Sequence, residues 1–509
     1  MIEMLIPMFV AVPLIMAGVT AFGQEGRRWP LAVLMTVLAA NQLAAILLVA
    51  RTRDGEVLGH GVGGWSGGIA IPFVADAFSA LMLAVTALLT LVCSWFAIAA
   101  GTGKIKLFAP LVLALTAGVN GALLTADFFN LFVFIEVMLL PSYGLLVLAR
   151  RGEGTLRSVS GSRLYVTFNL FVSTVFLAGV ALIYGTAGTV NLAELAGAAQ
   201  ESPLVAAATA VCLFALAMKA ACVPTHGWLA RAYPSTSPAV TALFSGLHTK
   251  VAIYAIYRVY AVVFDGDERY LWIGLVVFSL TMAIGVLGAV GEQTTRSILA
   301  FHMISQIGYI LLGVALFTEA GLTAGIFYLL HHMIVKASLF LSTGAVEEHY
   351  GTGNLDRLRG LVRKEPVIAA SFFIAALSLA GLPPFSGFIA KLTLVLATVE
   401  AGHMTVVAVA LAVSLITLLS MLKIWNAVFA APRKESEEIE ELAASAGPGT
   451  QRVITAAKTG VRTSLVLPGL LLALVTLCLG LGAEFLLGLS STAAAGLLDT
   501  SSYVEAVMR

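Results

Sequence analysis

Fourteen stretches of at least eighteen predominantly apolar residues recur along this chain, centred near residues 12, 40, 86, 115, 138, 175, 213, 249, 280, 306, 333, 382, 417 and 475. Inside lipid every backbone N–H and C=O must be satisfied within its own segment, so runs of this length cross a bilayer as helices. With 59% hydrophobic and 11% charged residues, a soluble globular domain is excluded. The expected fold is an all-α polytopic membrane protein of about 14 transmembrane helices. The first run has no basic n-region or small-residue cleavage site and leads at once into the second, so it reads as a helix and not as a removed leader.

Five lysines fall inside these runs: Lys219, Lys250, Lys336, Lys391 and Lys423. Glu136 lies inside a sixth, from Phe128 to Leu148. A charged side chain at the bilayer centre costs about 2.5–3.5 kcal/mol or more, which makes such residues rare and commonly functional. The other cations sort by side. Arg51, Arg53, Arg258, Arg269 and Arg509 fall on one side of alternating spans, and all the rest on the other, around Arg27–Arg28, Lys104–Lys106, Arg150–Arg163, Arg231, Arg296, Arg357–Lys364 and Arg433–Arg462. The positive-inside rule puts the richer set in the cytoplasm and both termini outside.

A sequence repeat divides the middle of the chain. Pro224-Thr-His-Gly227-Trp-Leu-Ala230-Arg231 matches Pro384-Phe-Ser-Gly387-Phe-Ile-Ala390-Lys391 at an offset of 160, and Gly188-Thr-Val-Asn191 matches Gly351-Thr-Gly-Asn354 at an offset of 163. Five helices separate the copies, an odd number, so the two units have opposite orientation in the membrane: two inverted five-helix repeats, the plan that places ion sites near the midplane. Pro224, and Pro383 with Pro384, also break their helices, because proline removes a donor and clashes with the preceding turn. Broken helices at membrane depth are tolerated where they are buried in protein or line water. The expected organisation is three N-terminal helices in 1–104, a first five-helix unit in 105–264, a second, inverted one in 265–430, a cytoplasmic loop in 431–461 containing the acidic run Glu435–Glu441, and a final helix with a tail in 462–509.

Lysine can release its proton when desolvated, whereas arginine stays protonated, and all five intramembrane cations are lysines. Such a row suits proton movement. Glu136 near Lys219 would hold that lysine charged, and a change in their pairing would release the proton. His332 and Lys336 lie four residues apart on one helical face, with His331 adjacent; His248 precedes Lys250 by two, and His226 stands at the first break. Lys423 is close enough to its helix end to reach water. The four cysteines, Cys93, Cys212, Cys222 and Cys478, lack metal-ligand spacing and read as buried hydrophobes. Gly101-Thr-Gly-Lys104 lacks the remaining residues of a phosphate-binding loop, and no nucleophile motif is present. Net charge +1 gives no field for nucleic acid. No cofactor or metal site is expected, and no enzymatic role.

The segments Asp127-Phe-Phe-Asn-Leu-Phe-Val-Phe-Ile-Glu136, Met218-Lys219 ahead of Pro224, His331-His332-Met-Ile-Val-Lys336 and Gly381-Leu-Pro-Pro-Phe-Ser-Gly-Phe-Ile-Ala-Lys391 resemble the antiporter-like subunits shared by Mrp cation/proton antiporters and respiratory complex I. Within that family the segment Gly63-Gly-Trp65 to Asp76-Ala-Phe-Ser79 is most similar to the D-type subunits of Mrp antiporters. The resemblance implies a proton-translocating subunit of a multisubunit Na+(K+)/H+ antiporter of a prokaryotic plasma membrane, with other membrane subunits, the bilayer, H+ and Na+ as partners. It implies Glu136 and Lys219 as a charged pair, Lys250 as central relay, Lys336 with His332 after it and Lys391 as terminal lysine. His248, His331 and Lys423 are accessory candidates. The alternative it leaves is a proton-pumping subunit of a complex I-type NADH-quinone oxidoreductase or a membrane-bound hydrogenase.

Overall fold

The computed structural model describes residues 3–24, 26–65, 71–148, 155–431 and 460–509. The acidic run Glu435–Glu441 and the glycines of the 66–70 segment lie outside these residues. Helices stand at all fourteen expected places. Among the described residues eleven are individually long and apolar enough to cross a membrane. In chain order they are α1 (Met8–Ala21), α2 (Trp29–Thr52), α3 (Ala77–Ala100), α4 (Phe108–Leu124), α5 (Phe128–Leu148) and α6 (Thr155–Ala187). After the short α7 (Ala198–Glu201), the first broken helix is α8 (Pro203–Lys219) with α9 (Gly227–Ala232), followed by α10 (Pro238–Val263), α11 (Leu271–Gly291), α12 (Thr295–Leu316) and α13 (Glu319–Tyr350). The turn α14 (Leu361–Lys364) leads to the second broken helix, α15 (Pro366–Ala380) with α16 (Ser386–Glu400), then α17 (Met404–Ile424) and α18 (Thr463–Leu481). The tail after α18 forms two more helices, α19 (Ala483–Leu498) and α20 (Ser501–Met508).

The repeat extends into contacts that sequence matching does not reach. Gly118 and Gly121 on α4 let α5 approach so closely that a Cβ at Gly118 would come within 2.5 Å of Met138 N, and one at Gly121 would strike the Phe134 ring. Gly285 and Gly288 on α11 meet Ser305 and Phe301 on α12 in the same way, every member 167 residues later. The link into α5 and its counterpart into α12 are pinned by equivalent bridges, Asp127 with Asn191 and Thr294 with Asn354. Both asparagines fold the same turn: Asn191 Oδ1 accepts from Ala193 N at 2.9 Å and Asn354 Oδ1 from Asp356 N at 2.8 Å. At the breaks, Cys222 N bonds to Ala217 O and Leu382 N to Leu377 O, closing each half-helix over a left-handed residue, Ala221 or Gly381. The offset shrinks from 167 to 163 to 160 because the connecting loops of the second unit are shorter.

Burial is graded across the helices. α10 and α13 are buried along their whole apolar length and lie against each other at the centre, and α12 is nearly so. In α1, α2 and α17 only 28% of the apolar stretch is buried, which leaves their outer faces for lipid or neighbouring subunits. Lys250 and Lys336 therefore lie on the helices most completely surrounded by protein.

Beside α3 a two-stranded antiparallel sheet, β1 (Leu58–Gly61) and β2 (Pro72–Ala75), pairs Leu58 with Ala75 and Gly61 with Pro72. α20 packs on both strands. Next to it the structure corrects one expectation: Arg258 is not in a loop but inside α10, buried, with its guanidinium 2.5 Å from Asp76 Oδ2 and 4.4 Å from the centre of the Tyr503 ring. Asp76 also caps α3 by accepting from Ser79 N at 2.9 Å. Cys478 is exposed on α18 and is not a core residue, unlike Cys93, Cys212 and Cys222.

Candidate proton-transfer chain

The second helix break creates an acceptor where a lysine needs one. Past Ala380 the α15 ladder stops, which frees the Ala380 carbonyl at a helix C-terminus, the end that favours a cation. Lys391, one turn into α16, donates to this carbonyl at 2.8 Å and to Ser414 Oγ at 2.9 Å, over the Tyr309 ring at 5.6 Å. Lys219 is the last residue of α8 and donates to Asn169 Oδ1 on α6 at 3.3 Å.

The two central lysines lie on the fully buried helices. Lys250 on α10 donates to Thr249 Oγ1 at 3.1 Å, and Lys336 on α13 to Leu299 O on α12 at 2.9 Å. All four of these lysines are buried, yet among the described residues none has a carboxylate within ion-pair distance. An ammonium held only by neutral acceptors has no fixed counter-ion, so its protonation follows the hydration and charges around it.

Glu136 and Lys219 are neighbours without a direct ion pair. The carboxylate is near enough to act on Lys219 and on Tyr143 electrostatically, and its Oε1 is buried with no hydrogen-bond partner. His332 lies within electrostatic reach of both Lys250 and Lys336, and neither of its ring nitrogens bonds to protein. The pairing expected from spacing along one helix is thus extended: two lysines on two helices act on His332. His331 bonds through Nδ1 to Ser386 Oγ at 2.7 Å, beside Lys391. His248 is held on both sides, by Ser142 Oγ at 2.9 Å and Tyr165 OH at 2.8 Å, close to Lys219.

Lys423 is set apart. Its ammonium donates to Val290 O at 3.0 Å and Glu292 O at 2.7 Å, closing the C-terminal end of α11. His226 stands at the first break with an unpartnered Nδ1.

Three polar residues of the chain do not stand out in the sequence. Asn169, the partner of Lys219, stands 163 residues before His332, and Tyr165, the partner of His248, 163 before Tyr328. The repeat offset holds that signal, since it aligns an asparagine with a histidine and a tyrosine with a tyrosine. His302 on α12 is the third, with Nε2 2.9 Å from Ser420 Oγ.

The side chains thus form a series: Glu136 with Lys219, His248, Lys250, His332, Lys336, His302 and Lys391. It joins bonded groups to buried polar atoms without protein partners, Glu136 Oε1, both ring nitrogens of His332 and His302 Nδ1, the kind that ordered water satisfies. Such an arrangement can pass protons by short transfers between side chains and bridging water.

Residues 125–417 match the family model described as NADH:quinone oxidoreductase/Mrp antiporter, TM. The D-type subunit of the Na(+)/H(+) antiporter of Alkalihalophilus pseudofirmus is 38% identical over 487 residues, 94% of each chain. A chain of the Mrp complex from Dietzia sp. superposes with a TM-score of 0.93 at 55% identity, covering 100% of this chain and 99% of that one. A chain of the membrane-bound sulfane sulfur reductase, an archaeal respiratory membrane complex, superposes with a TM-score of 0.87 at 26% identity, each chain covered to 99%.

Proposed function

The chain belongs to the NADH:quinone oxidoreductase/Mrp antiporter transmembrane family, and on that premise we propose that it moves protons, as a membrane subunit of a multisubunit Na+/H+ antiporter, along Lys391, Lys336, His332, Lys250, Lys219 and Glu136. The observation that carries the reading is the series of buried titratable side chains running through α10 and α13, the two helices enclosed by protein over their whole apolar length. Charge there is costly in proportion to its isolation, and a chain that keeps it in that place gains a route insulated from lipid.

The transfer follows from the neighbours. A proton on Lys336 disfavours one on Lys250, because like charges in a weakly screening interior repel, and neutral His332 between them accepts from one side as it releases to the other. At the far end the Glu136 carboxylate stabilises the charged form of Lys219; when Glu136 is neutralised, Lys219 gives its proton up. In this reading the chain carries out transport and no chemistry on a bound substrate, and it works in the cell membrane with other membrane subunits that complete the exchange of Na+.

Substitution of Glu136→Gln or Lys219→Ala in the intact complex tests the reading. Antiport in inverted vesicles should be lost while the complex still assembles, and preserved antiport would overturn it. The likeness to a respiratory complex at 26% identity keeps a redox-driven pump as the second reading. Purification of the native assembly separates the two: small membrane subunits alone support the antiporter, iron–sulfur subunits the pump.

A further inference from the structure

We propose that His302, together with a stripe of hydroxyls on α17, is the connection that carries protons between Lys336 and Lys391; the inference deepens the reading above and rests on it. Lys336 and Lys391 lie on different helices and share no hydrogen-bond partner. Lys336 ends on Leu299 O, and Lys391 lies over the Tyr309 ring. Leu299, His302, Gln306 and Tyr309 occupy one face of α12, so the two lysines touch opposite ends of a single polar edge about 15 Å long.

His302 is the titratable group on that edge. It is fully buried, and both Lys336 and Lys391 act on its ring electrostatically. Its Nδ1 has no protein partner, and one turn on, Gln306 Nε2 has none either, although Gln306 Oε1 accepts from Tyr328 OH at 2.6 Å. The opposite ring nitrogen, Nε2, meets Ser420 Oγ on α17 at 2.9 Å.

From Ser420 the proposed path continues along α17 by way of water, since the hydroxyls there donate to backbone and not to one another, Thr417 Oγ1 to Val413 O at 2.8 Å and Ser414 Oγ to Ala380 O at 3.2 Å. Ser414, Thr417 and Ser420 recur every three residues on the side of α17 that faces protein, with Thr417 and Ser420 buried. Ser414 Oγ accepts from Lys391 at 2.9 Å. The hydroxyl stripe therefore begins at His302 and ends at Lys391.

In one passage Lys336 loses a proton and becomes the neutral amine, Lys391 gains one and becomes the ammonium, and the imidazole takes up a proton at one nitrogen and releases one from the other. Only N–H and O–H bonds break and form, and the ring ends neutral as the other tautomer.

The experiment compares His302→Gln and His302→Glu in the intact antiporter complex. The two side chains have the same shape, and only glutamate can take up and release a proton. Antiport in inverted vesicles should fall at least about tenfold in H302Q and remain several-fold higher in H302E. Equal activity in the two, or higher activity in H302Q, would make His302 a packing residue and overturn the proposal. If neither variant assembles, Ser420→Ala decides: a several-fold loss supports the path, and unchanged antiport rules it out. Lys336→Ala and Lys391→Ala run alongside; if both stay active, the lysine relay itself is wrong, whereas their inactivity beside a fully active H302Q removes His302 alone.

Discussion

Gly381 is the surface on which the Lys391 side chain lies: a Cβ at Gly381 would come within 2.6 Å of Lys391 Cδ and 3.3 Å of Cε. The residue has φ of 87°, and its backbone N–H closes the end of α15 through Leu377 O and Ser378 O. Gly381→Ala therefore strains the backbone and displaces the lysine from the Ala380 carbonyl. Antiport should drop at least about tenfold with the complex still assembled. Ala221 holds the equivalent place in the first unit at φ 65°. Ala221→Gly relieves a left-handed alanine, so it should leave transport intact and stabilise the protein by about 1 kcal/mol, read as a raised Tm.

Asn169 gives Lys219 a neutral acceptor at 3.3 Å. Asn169→Asp puts a full negative charge there, worth about 4 kcal/mol at 4 Å and an effective dielectric of about 20, and pins the proton. Transport measured in vesicles should fall about tenfold or more, while the yield of assembled complex stays level or rises. Asn169→Leu removes the acceptor without adding charge and should also slow transport, this time with a lower yield, because Lys219 is left buried without that partner.

How far the sequence speaks for itself can be read from these same residues. Lysines in apolar runs stand out whatever surrounds them in space, because a charged residue within a run of apolar ones is rare and visible from the run alone. For that reason Lys219, Lys250, Lys336 and Lys391 are legible without a fold. Pro224 and Pro384 mark the helix breaks for an equally local reason, the missing N–H. His302 is not legible, because a single histidine within a helix reads as an ordinary buried one, and only its meeting with Ser420, 118 residues away, gives it a role. Arg258 reads as a loop residue because hydropathy cannot see Asp76, whose charge lets α10 carry an arginine in its buried part.

The Arg258–Asp76 pair gives a prediction about stability rather than transport. Breaking a buried pair strands one charge, at a cost of about 3–5 kcal/mol. Arg258→Met should sharply lower the Tm and yield of the complex. Arg258→Met with Asp76→Ser, which keeps a cap on α3, should recover most of the loss. If the single variant were as stable as the parent, the pair would be solvated and not interior.

Lys423 should behave unlike the other intramembrane lysines. Its bonds to Val290 O and Glu292 O finish α11. Lys423→Gln should leave antiport within about twofold of the parent and lower stability by about 0.5–1 kcal/mol, the scale of a lost interaction at a helix C-terminus. Loss of transport comparable to that of Lys391→Ala would place Lys423 on the proton path instead.

The contact between α20 and the β-hairpin has a consequence for how the chain is made. Gly59 lies directly under the Ala506 carbonyl, where even one methyl group would collide, and Tyr503 covers Arg258. At roughly 5–20 residues per second, the hairpin waits tens of seconds after its synthesis for the segment that covers it. During that interval the guanidinium of Arg258 lacks its aromatic lid and the outer edge of β1 is open. A chain that stops between the last spanning helix and residue 503 holds every transmembrane helix yet leaves Gly59 and Arg258 without the segment that covers them.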